Sequence, residues 1–76
     1  MIREHDRVVL TIPLPKEGLE AGDIGAVVHV YPEQAAYEVE FLTLTGNTAA
    51  VITVLADQIR PVGGSEIPHA REFVHG

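Results

Sequence analysis

The stretch AYEVEFLTLTGNTAAVITVL, residues 36–55, alternates apolar and polar side chains on both sides of a Gly46-Asn47 pair. A period of two is typical of β-strands with one buried face, and a Gly-Asn pair between two such runs favours a tight hairpin turn. A two-residue turn there predicts three facing pairs: Thr43 with Ala50, Phe41 with Ile52, and Val39 with Val54. The hairpin therefore turns Val39 and Phe41 toward a core.

The strand that begins at Ala36 also has a predicted partner before it in the chain. Residues 24–31 form a second β-rich run, and residues 32–35, which begin with Pro32, are typical of a turn. If Tyr31 faces Ala36, antiparallel pairing predicts an inward set of three facing pairs: Val30 with Tyr37, Val28 with Val39, and Ala26 with Phe41. It also predicts an outward set: His29 with Glu38, and Val27 with Glu40. We prefer this register because it separates the glutamates from the core, and both turns then agree that Val39 and Phe41 face inward.

The remaining β-rich runs lie at the two ends of this unit. In the first of them Val8, Leu10 and Ile12 alternate with other side chains, and Pro13 ends the strand because proline has no N–H to donate. The remaining predicted elements are a strand over residues 6–12, a polar loop with glycines over residues 16–23, a 3-10 turn over residues 56–58 and a last strand over residues 59–62.

Five short antiparallel strands, a long first loop and a 3-10 turn before the last strand predict an all-β fold, a small five-stranded SH3-like barrel. The rival OB-fold normally carries a helix between its third and fourth strands, for which Gly46-Asn47 leaves no room. We expect a barrel domain over residues 1–62, followed by a flexible hinge and a C-terminal tail over residues 63–76. The open alternatives for the tail are a frayed terminus or docking through three apolar residues: Ile67, Phe73 and Val74.

The composition limits the functions that the chain can have. Among the 76 residues, five are Lys or Arg and eleven are Asp or Glu, which gives a net charge of −6, and cysteine is absent. We therefore expect no thiol chemistry, and an acidic surface with few scattered cations disfavours nucleic acids and anionic membranes as partners. No apolar run approaches the roughly 20 residues that span a bilayer, and no signal-peptide profile is present, so we expect a cytoplasmic protein.

The predicted registers leave a group of apolar side chains outside the barrel. These residues are Val27, Leu42, Leu44, Ala49, Val51 and Leu55. Six neighbouring apolar residues form a patch on the order of several hundred Å², the size that marks interaction sites, and Glu38 and Glu40 supply an acidic rim. Two alternatives stay open: the tail covers this face, or the register is off by one and the face is part of the core.

No arrangement of residues in the sequence predicts catalysis or a bound cofactor. His29 beside Glu38 and Glu40 is a weak candidate for a metal site or an acid–base pair, and a solvated charged face explains the three residues more simply. The single serine, Ser65, lies in the glycine hinge, where nothing forms an oxyanion hole. We therefore expect no catalytic residue, no metal site and no cofactor.

Several segments of the chain together carry a resemblance to a known family. They are Asp6-Arg7-Val8-Val9-Leu10, Leu14-Pro15 with Gly18-Leu19, Gly22-Asp23-Ile24-Gly25-Ala26-Val27-Val28, Ala36-Tyr37-Glu38-Val39-Glu40-Phe41 and Asp57-Gln58-Ile59-Arg60-Pro61-Val62. Over roughly residues 5–62 the chain is similar to a family of small bacterial proteins, the domain of unknown function 4926 family. The resemblance implies an SH3-like barrel and supplies no established activity, catalytic residue or cofactor. Some members look like accessory or partner proteins encoded beside toxin-like or other accessory genes.

The leading hypothesis is a non-enzymatic module that binds another protein, or a second copy of itself, through the apolar outer sheet face. Its acidic rim favours a basic partner. One alternative is an acidic antitoxin-like or immunity-like inhibitor of a basic partner protein, which a captured nuclease-like partner would favour. The other is a small-ligand carrier or enzyme accessory subunit, which would show a concave pocket with convergent polar groups.

Overall fold

The computed structural model describes residues 1–74, which form five short strands joined by turns. The strands are β1 (Arg7–Leu10), β2 (Ile24–Val30), β3 (Ala36–Leu42), β4 (Thr48–Leu55) and β5 (Ile59–Pro61). They pair antiparallel in one sheet of order β4-β3-β2-β1-β5. Three 3-10 turns complete the chain: Pro15–Glu17, Pro32–Gln34 and Ala56–Gln58. This strand order, with a 3-10 turn before β5, confirms the predicted all-β SH3-like fold. None of the described residues forms a helix long and apolar enough to cross a membrane.

The β3–β4 hairpin has the predicted strands but a different turn. Phe41 lies opposite Ala50 and Val39 opposite Ile52, two residues away from the predicted pairs. The predicted two-residue turn is wrong: the Gly46 N–H donates to the Thr43 carbonyl at 2.9 Å, and the Thr43 N–H donates to the Asn47 carbonyl at 2.8 Å. Gly46 takes a φ of 91°, which suits glycine at the last position of a three-residue loop. From Ala36 to Phe41 the shift is an even number of residues, so these side chains and those of their β4 partners keep their predicted faces. A second β-bulge, between Phe41 and Leu42, makes Ala49 an extra residue on β4.

The β2–β3 pairing contains a β-bulge between Val27 and His29, and this bulge changes which residues face the core. Beside the turn, the predicted pairs of His29 with Glu38 and Val30 with Tyr37 are confirmed. Beyond the bulge three predicted pairs are wrong, since the observed pairs are Val27 with Val39, Ala26 with Glu40, and Gly25 with Phe41. Val28 is the extra residue, so the alternation of side chains reverses there.

Val27 is the one predicted outer-face residue that the bulge moves to the inside. It is fully buried and belongs to the core, while Val28 is 41% exposed. The expectation that Val27 faces outward is therefore wrong. The physical reason is the single extra residue, which turns Val27 toward the core without disturbing the pairs nearer the turn.

Gly25 explains how β2 can lie so close to β3. A Cβ atom at this position would lie 2.6 Å from Val39 Cγ1 and 2.9 Å from the Glu40 carbonyl oxygen. The absence of a side chain therefore lets β2 approach Val39 and Phe41 closely, at the end of the strand that also pairs with β1.

The core is formed by one inward face of this bent sheet. Its buried residues are Val8, Leu10, Leu19, Val27, Tyr37, Val39, Phe41, Val54 and Ile59. β1 is shorter than the predicted 6–12 strand, and Ile12 lies after its end, half-buried against the core. The long first loop contributes Leu19, which the loop positions through a backbone bridge to Leu14. The loop is thus a part of the core and not only a connection.

The segment after β5 begins with a charged clamp. The Arg60 guanidinium donates two hydrogen bonds to the Glu66 carboxylate, at 2.9 and 2.7 Å, and the Gly63 N–H donates to the same carboxylate at 2.5 Å. The hydrogen bonds from Arg60 and then from Gly63 lower the pKa of Glu66 to about 2. The predicted hinge residues therefore form a turn that Glu66 closes.

The tail then crosses to the first loop. The Arg71 guanidinium donates to both oxygens of Asp23, at 2.9 and 2.6 Å, and to the Gly18 carbonyl at 2.9 Å. Phe73 is half-buried against the core, whereas Ile67 and Val74 are largely exposed. Of the three apolar residues considered for docking, Phe73 therefore docks on the barrel. The predicted tail also includes residues 75–76, which lie outside the described residues.

The environment of Asp23 makes this tail contact depend on pH. Burial alone would raise the pKa of Asp23, but hydrogen bonds from Arg71 and from the Glu20 backbone N–H, together with the charge of Arg71, hold that pKa below its ordinary value. A lowered folded-state pKa stabilises the protein above the unfolded-state pKa of about 4, and the stabilisation is lost as the pH falls through the folded-state pKa.

Substitution of Gly25 tests the close approach of β2 to β3. We expect Gly25→Ala to destabilise the fold by about 2 kcal/mol, because the added methyl group meets the Glu40 backbone as well as the Val39 side chain. Gly64→Ala is the matched control, since a Cβ at Gly64 has no atom within 4 Å. Urea denaturation followed by circular dichroism measures both variants. Equal stabilities would contradict the close packing at Gly25.

Substitution of Asp23 tests the tail contact. We expect Asp23→Asn to lower stability by about 1 kcal/mol at pH 7, because it removes a partly buried charged partner of Arg71. The difference from the unmodified chain should shrink as the pH falls below about 4 and through the lower folded-state pKa, since Asp23 becomes protonated first in the unfolded state and then in the folded state. Thermal denaturation at a series of pH values measures the difference. Glu17→Gln, which removes one exposed carboxylate from the same loop, controls for net charge. A difference that stays constant with pH would contradict this account.

Candidate functional site

The side of β3 and β4 that faces away from the core carries a set of exposed apolar side chains. We define the outer apolar face as Leu42, Leu44, Val51 and Leu55, with exposures of 49%, 94%, 50% and 54%. Leu42 ends β3, Leu44 lies in the hairpin loop, and the other two lie on β4. Ala49, which was predicted to be part of this face, is half-buried at its edge. These residues lie outside because side chains alternate between the two sides of β3, and the pairing of β4 with β3 extends this alternation to β4.

Two carboxylates lie on the same side of β3, and hydroxyl groups fix their positions. Glu38 Oε1 accepts hydrogen bonds from Thr53 Oγ1 at 2.5 Å and from Tyr31 Oη at 3.1 Å. Glu40 Oε2 accepts a hydrogen bond from Thr48 Oγ1 at 2.6 Å. Both glutamates are half-buried. The structure therefore places an ordered row of two negative charges beside the outer apolar face, as the sequence predicted.

The outer apolar face extends further than the sequence indicated. Ile24, at the start of β2, is 40% exposed and precedes Gly25, which pairs with Phe41, so Ile24 lies beside Leu42. Val28 is exposed at the bulge. Sequence reasoning missed both because it assigned Val28 to the core and did not consider Ile24. Alternation without a bulge cannot identify either residue as exposed.

A groove of about 600 Å³ separates one end of the outer apolar face from the tail. Ile24, Leu42, Leu44 and Ala49 line it on the barrel side, and residues 68–73 line it on the tail side. The tail therefore flanks the face without sealing it, since Leu42 stays half-exposed and Leu44 almost fully exposed. Val51 and Leu55 lie beyond the groove. This arrangement disagrees with the alternative in which the tail covers the face.

The polar groups near the face form hydrogen-bonded pairs and not a coordination site. His29 lies opposite Glu38 in the sheet, and its ring packs edge-on against Tyr31 with 4.7 Å between the ring centroids. Within residues 1–74, no group of three His, Cys, Asp or Glu side chains could hold a metal ion. Ser65 is exposed in the turn after β5. The chemistry that this site offers is apolar contact together with a short row of carboxylates.

Comparison with known protein families gives a match over most of the chain. No curated protein and no solved structure matches the chain. The family model described as "Domain of unknown function (DUF4926)" matches residues 4–61, which run from just before β1 to the end of β5. The tail, which lines one side of the groove, lies beyond the matched region. Because the match covers most of the chain and all five strands, this protein belongs to the DUF4926 family.

Proposed function

We propose that this chain is a non-enzymatic protein-binding module that docks a basic partner protein on the outer apolar face. The observation that carries the proposal is the exposure of Leu42, Leu44, Val51 and Leu55 on one side of a closely packed sheet. Isolated exposed leucines are ordinary, but several large apolar side chains on one side of a sheet, interspersed with two carboxylates, are typical of a binding surface. Burial of this group against a partner contributes roughly 25 cal/mol per Å² of apolar area removed from water.

Charge supports the choice of a basic partner. The chain has a net charge of −6, and Glu38 and Glu40 border the outer apolar face in fixed positions. Negative charge at the border of an interface accelerates the approach of a positively charged surface and disfavours acidic partners, nucleic acids and anionic membranes. As part of the same proposal, the interaction takes place in the bacterial cytoplasm. An inhibitor of a basic enzyme is a special case of this proposal, in which the docked protein has an active site to block.

Substitution of Leu42 tests the proposal on the intact chain. We expect a basic protein to be captured from a lysate of the source cells, and we expect Leu42→Asp to weaken its binding at least about tenfold, because a charge at the centre of an apolar contact must be desolvated. Ile67→Asp is the matched control: Ile67 is an equally apolar residue, exposed on the tail, and its change should leave binding intact. Calorimetry with the purified partner measures both variants.

Salt provides a second readout of the same interaction. Binding should weaken as ionic strength rises, since salt screens the attraction between the acidic border and a basic partner. Capture of an acidic partner, or equal affinities for Leu42→Asp and Ile67→Asp, would contradict the proposal.

A further inference from the structure

β4 is an edge strand, and beyond a β-bulge at Ala49 near its hairpin end its remaining residues have no feature that prevents pairing. It lies at one end of the sheet, and its eight residues, Thr48–Leu55, include no charged residue, no glycine and no proline. The opposite edge, β5, has three residues, of which one is Arg60 and one is Pro61. Edge strands are normally kept single by charge, proline or shortness, and β5 has all three features whereas β4 has none.

The backbone groups that β4 presents at its free edge can be identified from the ladder. The Ala56 N–H donates to the Ala35 carbonyl at 3.3 Å, so alternation along an antiparallel pair turns Ala50, Ile52 and Val54 toward β3. Val51 and Thr53 then point their N–H and C=O groups away from the sheet. The Leu55 N–H has the same outward orientation and is bonded to Gln58 Oε1 at 2.8 Å. The free edge therefore centres on Val51 and Thr53, both exposed.

We propose that β4 pairs antiparallel with β4 of a second copy of this chain, with Ile52 at the two-fold axis. In this register Val51 of each copy exchanges two backbone hydrogen bonds with Thr53 of the other, and all four outward groups of each strand obtain partners. Ile52, half-buried against the core of its own barrel, then meets Ile52 of the second copy on the inward side. A second β4 thus satisfies the unpaired backbone groups and also covers apolar surface.

Charge does not prevent pairing with a second copy, in spite of the acidic surface. β4 itself is uncharged, so two copies meet without ionic groups in the contact. The nearest acidic rows, Glu38 and Glu40, lie on β3 and are held by Thr53 and Thr48. In the paired dimer they would lie three strand spacings from their counterparts, about 14 Å, which exceeds the screening length of about 8 Å at physiological salt.

The pairing uses the backbone edge of β4, which carries Val51 and Leu55 of the outer apolar face, whereas docking also requires Leu42 and Leu44. Leu42 and Leu44 take no part in it, since Leu42 ends β3 and Leu44 lies in the loop. Failure of the dimer would therefore leave the proposed docking function standing, and failure of the docking function would leave the dimer standing.

Light scattering on the full chain across a concentration series tests the inference. We expect a monomer–dimer equilibrium that Val51→Pro weakens at least about tenfold, since proline removes an N–H that faces the free edge and not β3. Val51→Ala keeps that N–H and is the matched control, and it should still dimerise, as should Leu42→Asp. A chain that is monomeric at every concentration, or a dimer that Val51→Pro leaves unchanged, would overturn the inference.

Amide hydrogen exchange on the unmodified chain gives a test that does not depend on folding of the proline variant. The N–H groups of Val51 and Thr53 should exchange more slowly as the protein concentration rises, while those of Ala50, Ile52 and Val54 should not change. Exchange that is independent of concentration at Val51 and Thr53, or protection that appears only when a different protein is bound, would contradict pairing with a second copy.

Discussion

The pleat of β3 is the constraint on which the rest of the structure depends. β3 pairs on both sides, with β2 and with β4, so its side-chain alternation decides the orientation of residues on three strands. Tyr37, Val39 and Phe41 face inward and are buried, and Glu38 and Glu40 face outward. A slip by one residue would move two carboxylates into an apolar core, which costs far more than any gain from a different pairing.

The bulge in β2 reconciles this alternation with the second half of the sheet. Near the turn, Val30 faces the same side of the sheet as its partner on β3. Beyond the bulge, Val27 and Gly25 again face the same side as their partners, because Val28 is an extra residue with no partner on β3. A bulge also bends the strand, which allows β2 to pair with β3 over its length and with β1 at one end. This bend leaves Val28 exposed. The missing side chain of Gly25 makes the close approach of β2 to β3 possible.

The sequence was sufficient for the five strands, the antiparallel pairing of the middle three and the outward orientation of most outer-face residues, for a reason that the β3–β4 hairpin shows. The predicted register was wrong by two residues over most of this hairpin, yet Val51 and Leu55 face outward as expected, because an even shift keeps faces. Leu42 faces outward because it follows the alternation along β3 itself. The prediction that Val27 faces outward was wrong because the bulge adds one residue to β2. The alternation of side chains in the sequence does not reveal a bulge in a run of small apolar residues. The contact of Arg71 with Asp23 joins residues 48 positions apart, and no local pattern indicates such a pair.

The tail and the sheet together determine what a partner can reach. Arg71 and Phe73 hold the tail against the first loop, so the groove beside Leu42 has a wall supplied by residues outside the family match. The barrel therefore provides the apolar face that the matched region encodes, and the tail shapes one end of it. Partners that use the whole face would contact both parts, whereas an added strand at β4 would contact the barrel alone.

The most direct test of this account is the solvent accessibility of individual methyl groups, measured by NMR with a soluble paramagnetic probe. The account predicts strong relaxation of the Val28 and Leu42 methyl groups and protection of Val27 and Val39. Relaxation of Val27 together with protection of Val28 would show that β2 has no bulge. Protection of Leu42 to the level of Val39 would show that the outer apolar face is part of the core, and it would contradict the central claim.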